Sequence, residues 1–178
     1  MKKVIIVYGL IAGAIVTAFM WFSMSLWDTG VINFDNGEYF GYGSMLIALS
    51  MIFFGIKSYR DNQNNRAIGF WKGIQIGLLI SLLASLIYAG WWETYVRTSP
   101  TGATFMASYI EHYITKLKEK GAPPEEIEAA TTQMASMAEM YKNPFIRFGM
   151  TLTEILPVGI IVTLLSAAIL RRKEVLAE

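Results

Sequence analysis

The sequence predicts an all-α fold: a four-helix transmembrane bundle with an extracytoplasmic α-helical hairpin between spans three and four. Two observations on composition predict it. Hydrophobic residues make up 54% of the 178 residues and charged residues 16%, against about 25% charged residues in an average soluble domain. The charged residues also fall in short clusters between long apolar runs, as expected where the runs avoid water and the clusters avoid lipid.

Four runs are long enough to cross a bilayer as helices, which satisfy their backbone hydrogen bonds internally. About 20 residues, at about 1.5 Å of rise each, cover a hydrocarbon core of about 30 Å. The predicted spans are residues 4–26, 39–56, 69–92 and 151–170. Trp91 and Trp92 end the third span, as suits the aromatic belt of a membrane interface, and Arg171 stops the fourth.

The basic residues set the orientation of these spans. Four spans put both termini on one side, and the short basic clusters lie on that side, whereas the first loop, residues 27–38, contains acids and no Lys or Arg. By the positive-inside rule both termini are therefore cytoplasmic. The chain then divides into spans one to three (1–92), an extracytoplasmic segment (93–147), and the fourth span with a cytoplasmic tail (148–178).

The extracytoplasmic segment carries two apolar stripes with helical spacing. Apolar residues recur in adjacent pairs every four positions from Phe105 to Leu117, and a second stripe runs from Ile127 to Tyr141. Gly121 and Pro124 are typical of a helix C-cap and of a helix first position, so "GAPP" joins an antiparallel hairpin. The two stripes cover each other, or part of them lies on the membrane surface or on a partner.

Small residues recur along one stripe of the third span and again in the first. In lipid, helices associate through close backbone approach, which small residues permit. The pattern favours packing inside the bundle, with a homodimer seam as the alternative. The predicted helix-packing residues are Gly69, Gly73, Gly77, Ser81, Ser85, Gly9 and Gly13.

One carboxylate lies inside the last span. Glu154 stands three residues before Pro157, whose missing N–H frees a backbone carbonyl. Arg147 lies two turns earlier on the same helical face, within reach of Glu154 through a water molecule. With Asp35 and Glu38, these two residues form a candidate ligand or ion site at the outer level of the membrane. The alternative is a set of solvated loop charges.

Several classes of site have no signature in the sequence. There is no cysteine for a disulfide or a thiolate metal site, and His112 is the single histidine. No Walker loop, dinucleotide fingerprint, HExxH motif or nucleophile elbow is present. A formal net charge of +1 gives no field that attracts nucleic acid. We therefore expect no enzymatic activity, no cofactor and no metal site.

Several segments of the chain resemble a known family. They are "YGLIAG", "FFGIKSYRDNQ", "GLLISLLASLIY", "EMYKNPFIR" and "EILPVGIIVTLLSAAILRRK". Together they resemble the domain-of-unknown-function 4199 family (DUF4199) of small bacterial, Bacteroidetes-type membrane proteins, over nearly the whole chain. The resemblance implies a four-span protein of the bacterial inner membrane with this hairpin. It brings no activity, substrate or catalytic residue.

Three functions are compatible with these residues. The first, which we favour, is a non-enzymatic scaffold that forms oligomers or attaches to another envelope protein through its small-residue helices and hairpin. The second is a small ion or solute transporter or channel with a polar site at Glu154 and Glu38, which needs a water-filled path toward Gln75. Four short spans leave little room for such a carrier. The third is the binding of lipid or another amphiphile between hairpin and bundle.

Overall fold

The computed structural model describes residues 1–27, 29–63 and 66–172; Asp28 of the first loop and Lys173 of the tail lie outside the described residues. The described part of the chain is helical, with no strand. Its helices are α1 (Lys2–Trp27), α2 (Gly37–Gln63), α3 (Phe70–Thr98), α4 (Pro100–Glu119), α5 (Pro124–Lys142) and α6 (Pro144–Leu170). Four of them, α1, α2, α3 and α6, are long and apolar enough to cross a membrane, which confirms the predicted all-α class with four spans.

The helices extend beyond the predicted apolar runs because apolarity marks the part suited to lipid, whereas helical backbone continues through polar residues. The second helix runs to Gln63 and the third to Thr98. The last one begins at Pro144, where the Asn143 side chain accepts a hydrogen bond from the Phe145 N–H at 2.9 Å and so caps the helix. It continues as α-helix through Pro157.

The chain forms two compact units, of which the first comprises Met1–Ala89 and Leu152–Glu178. Its core consists mainly of branched aliphatic side chains from all four of its helices, including Val16, Leu49, Ile52, Ile80 and Ile155, all at 0% exposure. The α3 helix is the central one. In its most apolar stretch of 18 residues, 50% of the residues are buried, against 28% in the corresponding stretches of α1 and α6. The remaining apolar surface of these helices faces outward, as expected of helices that lie in lipid.

Small residues bring α3 close to α6 within this unit. A Cβ atom built on Gly73 would lie 2.9 Å from Ala167 Cβ, and one on Gly77 would lie 2.6 Å from Thr163 Cγ2. Both distances are too short for a real Cβ atom, so the two backbones meet where no larger residue fits. Ser81 in turn lies against Gly159. The α3 stripe therefore follows α6 in an antiparallel register.

The other small residues of the predicted set have different surroundings. A Cβ atom on Gly9 would lie 2.7 Å from Leu83 Cδ2, and one on Gly13 would lie 2.5 Å from Ile87 Cδ1, so α1 packs on a different face of α3. The Ser85 hydroxyl donates to the Ser81 carbonyl at 2.7 Å. Nothing lies within 4 Å of a Cβ on Gly69. All of these contacts are made within the chain.

The second unit, Gly90–Thr151, contains α4 and α5, which pack on each other. Ser99 caps α4 through a hydrogen bond from the Gly102 N–H at 3.4 Å. At the other end Gly121 has a φ of +71°, its N–H donates to the Lys118 carbonyl, and the Ala122 N–H donates to the Leu117 carbonyl. This pair of bonds is the Schellman motif. Pro124 is the first residue of α5, so both turn predictions are confirmed.

Candidate functional site

The most strongly bonded charged groups of the chain lie in the second unit. Arg147 donates from Nε to Glu93 Oε2 at 2.8 Å and from Nη2 to Glu93 Oε1 at 2.5 Å. Only 9% of the Arg147 side chain and 16% of the Glu93 side chain are exposed. The two parallel bonds match the planar fork of the guanidinium to the carboxylate, which is the strongest form of this interaction.

Neighbouring groups complete the bonding of the pair. The Arg147 Nη1 atom donates to the Tyr141 carbonyl at 3.0 Å, and the guanidinium carbon lies 5.3 Å from the centroid of the Tyr141 ring. Arg97, whose side chain is 61% exposed, donates a further hydrogen bond to Glu93 Oε1 from the solvent-exposed side of the pair. Both carboxylate oxygens and all three guanidinium nitrogens of the pair thus have partners.

Aromatic side chains pack beside the ion pair. Trp92 donates from Nε1 to the Tyr141 hydroxyl at 2.8 Å, and its ring meets Phe105 edge to face with centroids 5.1 Å apart. Tyr95 stacks on Trp91 at 5.2 Å. At the start of α4, a Cβ atom on Gly102 would lie 2.6 Å from the Tyr95 carbonyl oxygen. The end of α3 is therefore tied to α4 by rings and by close backbone approach, and to α5 by a hydrogen bond.

This arrangement is suited to holding helices together. Both carboxylate oxygens of Glu93 accept bonds from arginines, and each guanidinium nitrogen of Arg147 donates one hydrogen bond, so the pair is satisfied by groups of the protein itself. We therefore interpret the group of Glu93, Arg147, Tyr141 and Trp92 as a structural clasp, and we call it the outer clasp. The outer clasp is held together by ion pairing, hydrogen bonding and ring packing.

Loss of one hydrogen bond of the outer clasp is expected to have a small, measurable effect. The change Tyr141→Phe removes the acceptor of the Trp92 N–H, which costs about 1 kcal/mol when a donor loses its partner. We expect a lower midpoint of thermal unfolding in detergent, read from tryptophan fluorescence. Tyr39→Phe, at a side chain on α2 that is 80% exposed, is the matched control and should leave the midpoint unchanged. Equal midpoints for the two variants would contradict the role given to Tyr141.

The candidate ligand or ion residues have separate surroundings in the structure. Arg147 has the partners described above. Asp35 and Glu38 are exposed and lie just before and within the first turn of α2, where negative charge favours the positive end of the helix dipole. The Asp35 N–H donates to Asn33 Oδ1 at 2.9 Å, in a local turn. Across residues 1–27, 29–63 and 66–172, no three acidic or histidine side chains are grouped as a metal site.

Glu154 and Gln75 belong to the first unit, and both are exposed on its surface. The interior between α3 and α6 is filled instead by Ser81, Thr163 and the glycines that face them. The two residues that a carrier needs along one internal path therefore face outward. This geometry gives the transport hypothesis no supporting contact.

Glu93 was not among the residues that the sequence indicated as partners of Arg147. One signal was available, because Glu93 directly follows the Trp91–Trp92 pair and Arg147 lies four residues before the predicted fourth span. Both residues therefore stand at the outer ends of predicted spans, at one level of the membrane. Nothing in the sequence indicated that position 102 has to be glycine. That requirement arises because the backbone of α3 passes too close for a Cβ atom.

Comparison with known proteins gives one result. A family model described as "Protein of unknown function (DUF4199)" matches residues 7–172, which is most of the chain. No curated protein and no solved structure matches the chain. Because the family model covers the apolar helices and the outer clasp together, the protein belongs to the DUF4199 family of proteins of unknown function.

Proposed function

We propose that this protein is a non-enzymatic scaffold of the bacterial inner membrane, with both termini in the cytoplasm and the α4–α5 pair outside it. In this account the four apolar helices anchor the chain, and the α4–α5 pair joins it to a second copy of itself. The orientation is supported by the basic residues of the short loops and by the even number of spans.

The observation that carries the proposal is the incomplete burial of the α4–α5 pair. Across its two helices, of 20 and 19 residues, only Gly102 and Met134 are buried. Tyr109 and Tyr113, which stack one turn apart on α4, remain 38% and 37% exposed, and Met140 of α5 remains 45% exposed. Two helices can cover only the sides that face each other, so an apolar strip is left for another surface.

The small-residue stripes do not supply that other surface. Gly9 and Gly13 are occupied by α3 side chains, and Gly73 and Gly77 by α6. These four glycines are therefore covered by side chains of the same chain, which leaves them no surface for a second copy. The contact between copies is assigned instead to the exposed side of the α4–α5 pair.

Charge complementarity at the end of the α4–α5 pair favours a second copy of the chain. The last turns of α4 and the residue after it carry Lys116, Lys118 and Lys120, and the first turns of α5 carry Glu125, Glu126 and Glu128. Two copies related by a two-fold axis can place the basic end of α4 of one chain against the acidic start of α5 of the other. Met140 adds an adaptable apolar side chain to the same pair of helices.

Site-specific photocrosslinking in intact cells tests this function. A photoreactive phenylalanine analogue replaces Tyr113 on α4 or, as the matched control, Leu165 on α6, which is 59% exposed and is assigned to lipid. We expect irradiation to give an adduct of twice the 20.0 kDa chain mass for position 113. Position 165 should give no protein adduct.

Each other result contradicts part of the proposal. An absence of adducts at position 113, with the chain present in the membrane, would remove the scaffold function. An adduct with a different envelope protein would replace the second copy as the partner. A self-adduct at position 165 alone would move the interface from the α4–α5 pair to the apolar helices.

A further inference from the structure

Within the first unit, two basic chain segments come together beside the end of α6. The Ile68 N–H donates to the Arg172 carbonyl at 2.9 Å, and the Arg172 N–H donates to the Ile68 carbonyl at 3.0 Å, in an isolated antiparallel bridge. Arg60 Nη1 also donates to the Leu170 carbonyl, at 3.4 Å, at the end of α6. These bonds fix the segment before α3 beside the segment after α6.

The bridge concentrates positive charge, since Lys57, Arg66, Arg171 and Arg172 are all exposed at this end. We call these four residues the basic rim. The nearby acid, Asp61, is already bound by Arg60, through Nε at 2.6 Å and Nη2 at 3.2 Å. Among the described residues, none of the four rim side chains forms an ion pair. Lys57 and Arg66 also attract the Asp61 carboxylate electrostatically, but four rim cations and Arg60 face this one acid, so the described part of the rim carries a net positive charge.

Arg66 has a backbone conformation that is uncommon for its type. Its φ is +61°, in the left-handed region, and its N–H donates to the Arg60 carbonyl at 3.0 Å. Glycine adopts this conformation without steric cost, whereas an arginine does so against the Cβ contacts. The chain thus has a cation where glycine would be less strained, which is a reason to look for a ligand of its side chain.

Apolar side chains lie next to the rim along both chain segments. Trp71 is three residues after Ile68 and is 75% exposed, and Ile169 is three residues before Arg172 and is 70% exposed. The surface therefore changes from outward-facing apolar groups to cations within about one helical turn. A phospholipid is arranged in the matching order, because its acyl chains can contact the apolar side chains while its phosphate lies at the level of the cations.

We propose that the basic rim binds the phosphate of an anionic phospholipid headgroup, with Arg66, Arg171 and Arg172 as its main ligands. Guanidinium groups bind phosphate oxygens through paired N–H donors, and the backbone bridge holds the two segments ready for one headgroup. This inference rests on the proposed function in one respect, namely that the apolar helices cross a membrane. The positive-inside rule accounts for basic residues on the cytoplasmic side without any specific ligand. This proposal requires in addition that the basic rim binds one phospholipid headgroup more tightly than another.

Native mass spectrometry of the full chain in detergent tests the preference. Purified protein is titrated with phosphatidylglycerol, with phosphatidylcholine of the same acyl chains, and with inorganic phosphate. We expect phosphatidylglycerol to bind more tightly than phosphatidylcholine, and inorganic phosphate to leave phosphatidylglycerol binding unchanged. Each arginine removed in the variant Arg171→Gln/Arg172→Gln should weaken phosphatidylglycerol binding about fivefold.

Two further variants separate the rim from general effects of charge and folding. Lys142→Gln removes one exposed cation from the end of α5 and should leave the preference intact. Arg66→Gly removes the side chain and relieves the backbone strain, so it should weaken phosphatidylglycerol binding without lowering the unfolding midpoint.

Equal binding of the two phospholipids by the wild type, or an unchanged preference in Arg171→Gln/Arg172→Gln, would overturn the proposal. Competition by inorganic phosphate as strong as by the lipid would overturn the lipid assignment. Recovery of the chain in the membrane or the soluble fraction of cells is measured in parallel. A soluble chain refutes the proposed function, whereas a membrane chain without headgroup preference refutes this inference alone.

Discussion

Gly77→Leu is expected to prevent stable folding of the four-helix unit. A Cβ atom at this position would already lie 2.6 Å from Thr163 Cγ2 and 3.0 Å from Ile52 Cγ2, and leucine adds three further carbons. Extra methylenes in a well-packed core cost about 1–3 kcal/mol, occasionally more, and here α3 would have to separate from both α2 and α6. We expect a loss of at least about 3 kcal/mol, seen as a low yield of monodisperse protein and a strongly lowered unfolding midpoint in detergent.

Gly90→Leu is the matched control for this change. Gly90 lies on the same helix, and no atom lies within 4 Å of a Cβ built on it. The same side chain at this position should fold normally, because leucine also favours the helical backbone by about 1 kcal/mol over glycine. If Gly77→Leu gave a folded monomer from a wild-type oligomer, Gly77 would lie between chains, and the internal packing described above would be wrong.

Glu93→Ala is expected to be the most damaging single change in the second unit. It leaves the Arg147 guanidinium buried without its counter-ion, and breaking a buried pair by removing one partner costs about 3–5 kcal/mol. The unfolding midpoint of the variant in detergent should fall accordingly. Arg97→Gln is the matched control, because the Arg97 side chain is 61% exposed and such a rim pair contributes at most about 1 kcal/mol.

A double-variant cycle separates the pair from its neighbours. Glu93→Ala/Arg147→Met removes both charges and keeps an apolar side chain of similar length at position 147, so no unpaired ion remains. We expect it to be more stable than Glu93→Ala alone, because the main penalty is the orphaned guanidinium. Additive losses in the double variant would contradict direct coupling between Glu93 and Arg147.

The spans could be predicted because solubility in lipid is an average over about 20 residues and tolerates local errors. The turn at Gly121 and Pro124 could be predicted because each residue satisfies a local rule of backbone geometry. Helix ends were predicted less well: α6 begins at Pro144, seven residues before the predicted apolar run, because an Asn143 cap and helix-forming residues need no apolar character.

Partners in three dimensions could not be predicted in the same way. The small-residue stripe of α3 indicated close packing, but whether Gly77 would meet α6, α1 or a second chain depends on how the helices are arranged. The shared helical face placed Arg147 within water-mediated reach of Glu154, but it did not indicate the direct bonds of Arg147 to Glu93 and Tyr141 on other elements. The partner of a charged side chain near the end of a span depends on which other elements lie beside it. Residue spacing along one helix carries no information about those elements.

The central claim is that the four apolar helices cross a membrane and leave the α4–α5 pair on the side opposite both termini. The chain has no cysteine, so single cysteines report their own location without background. Labelling of Thr132→Cys on α5 and Asn62→Cys at the end of α2 with a membrane-impermeant thiol reagent tests it most directly. The account predicts that Thr132→Cys is labelled in intact spheroplasts and Asn62→Cys only after permeabilisation. Equal labelling of both positions in intact spheroplasts, or labelling in the reverse order, would contradict it.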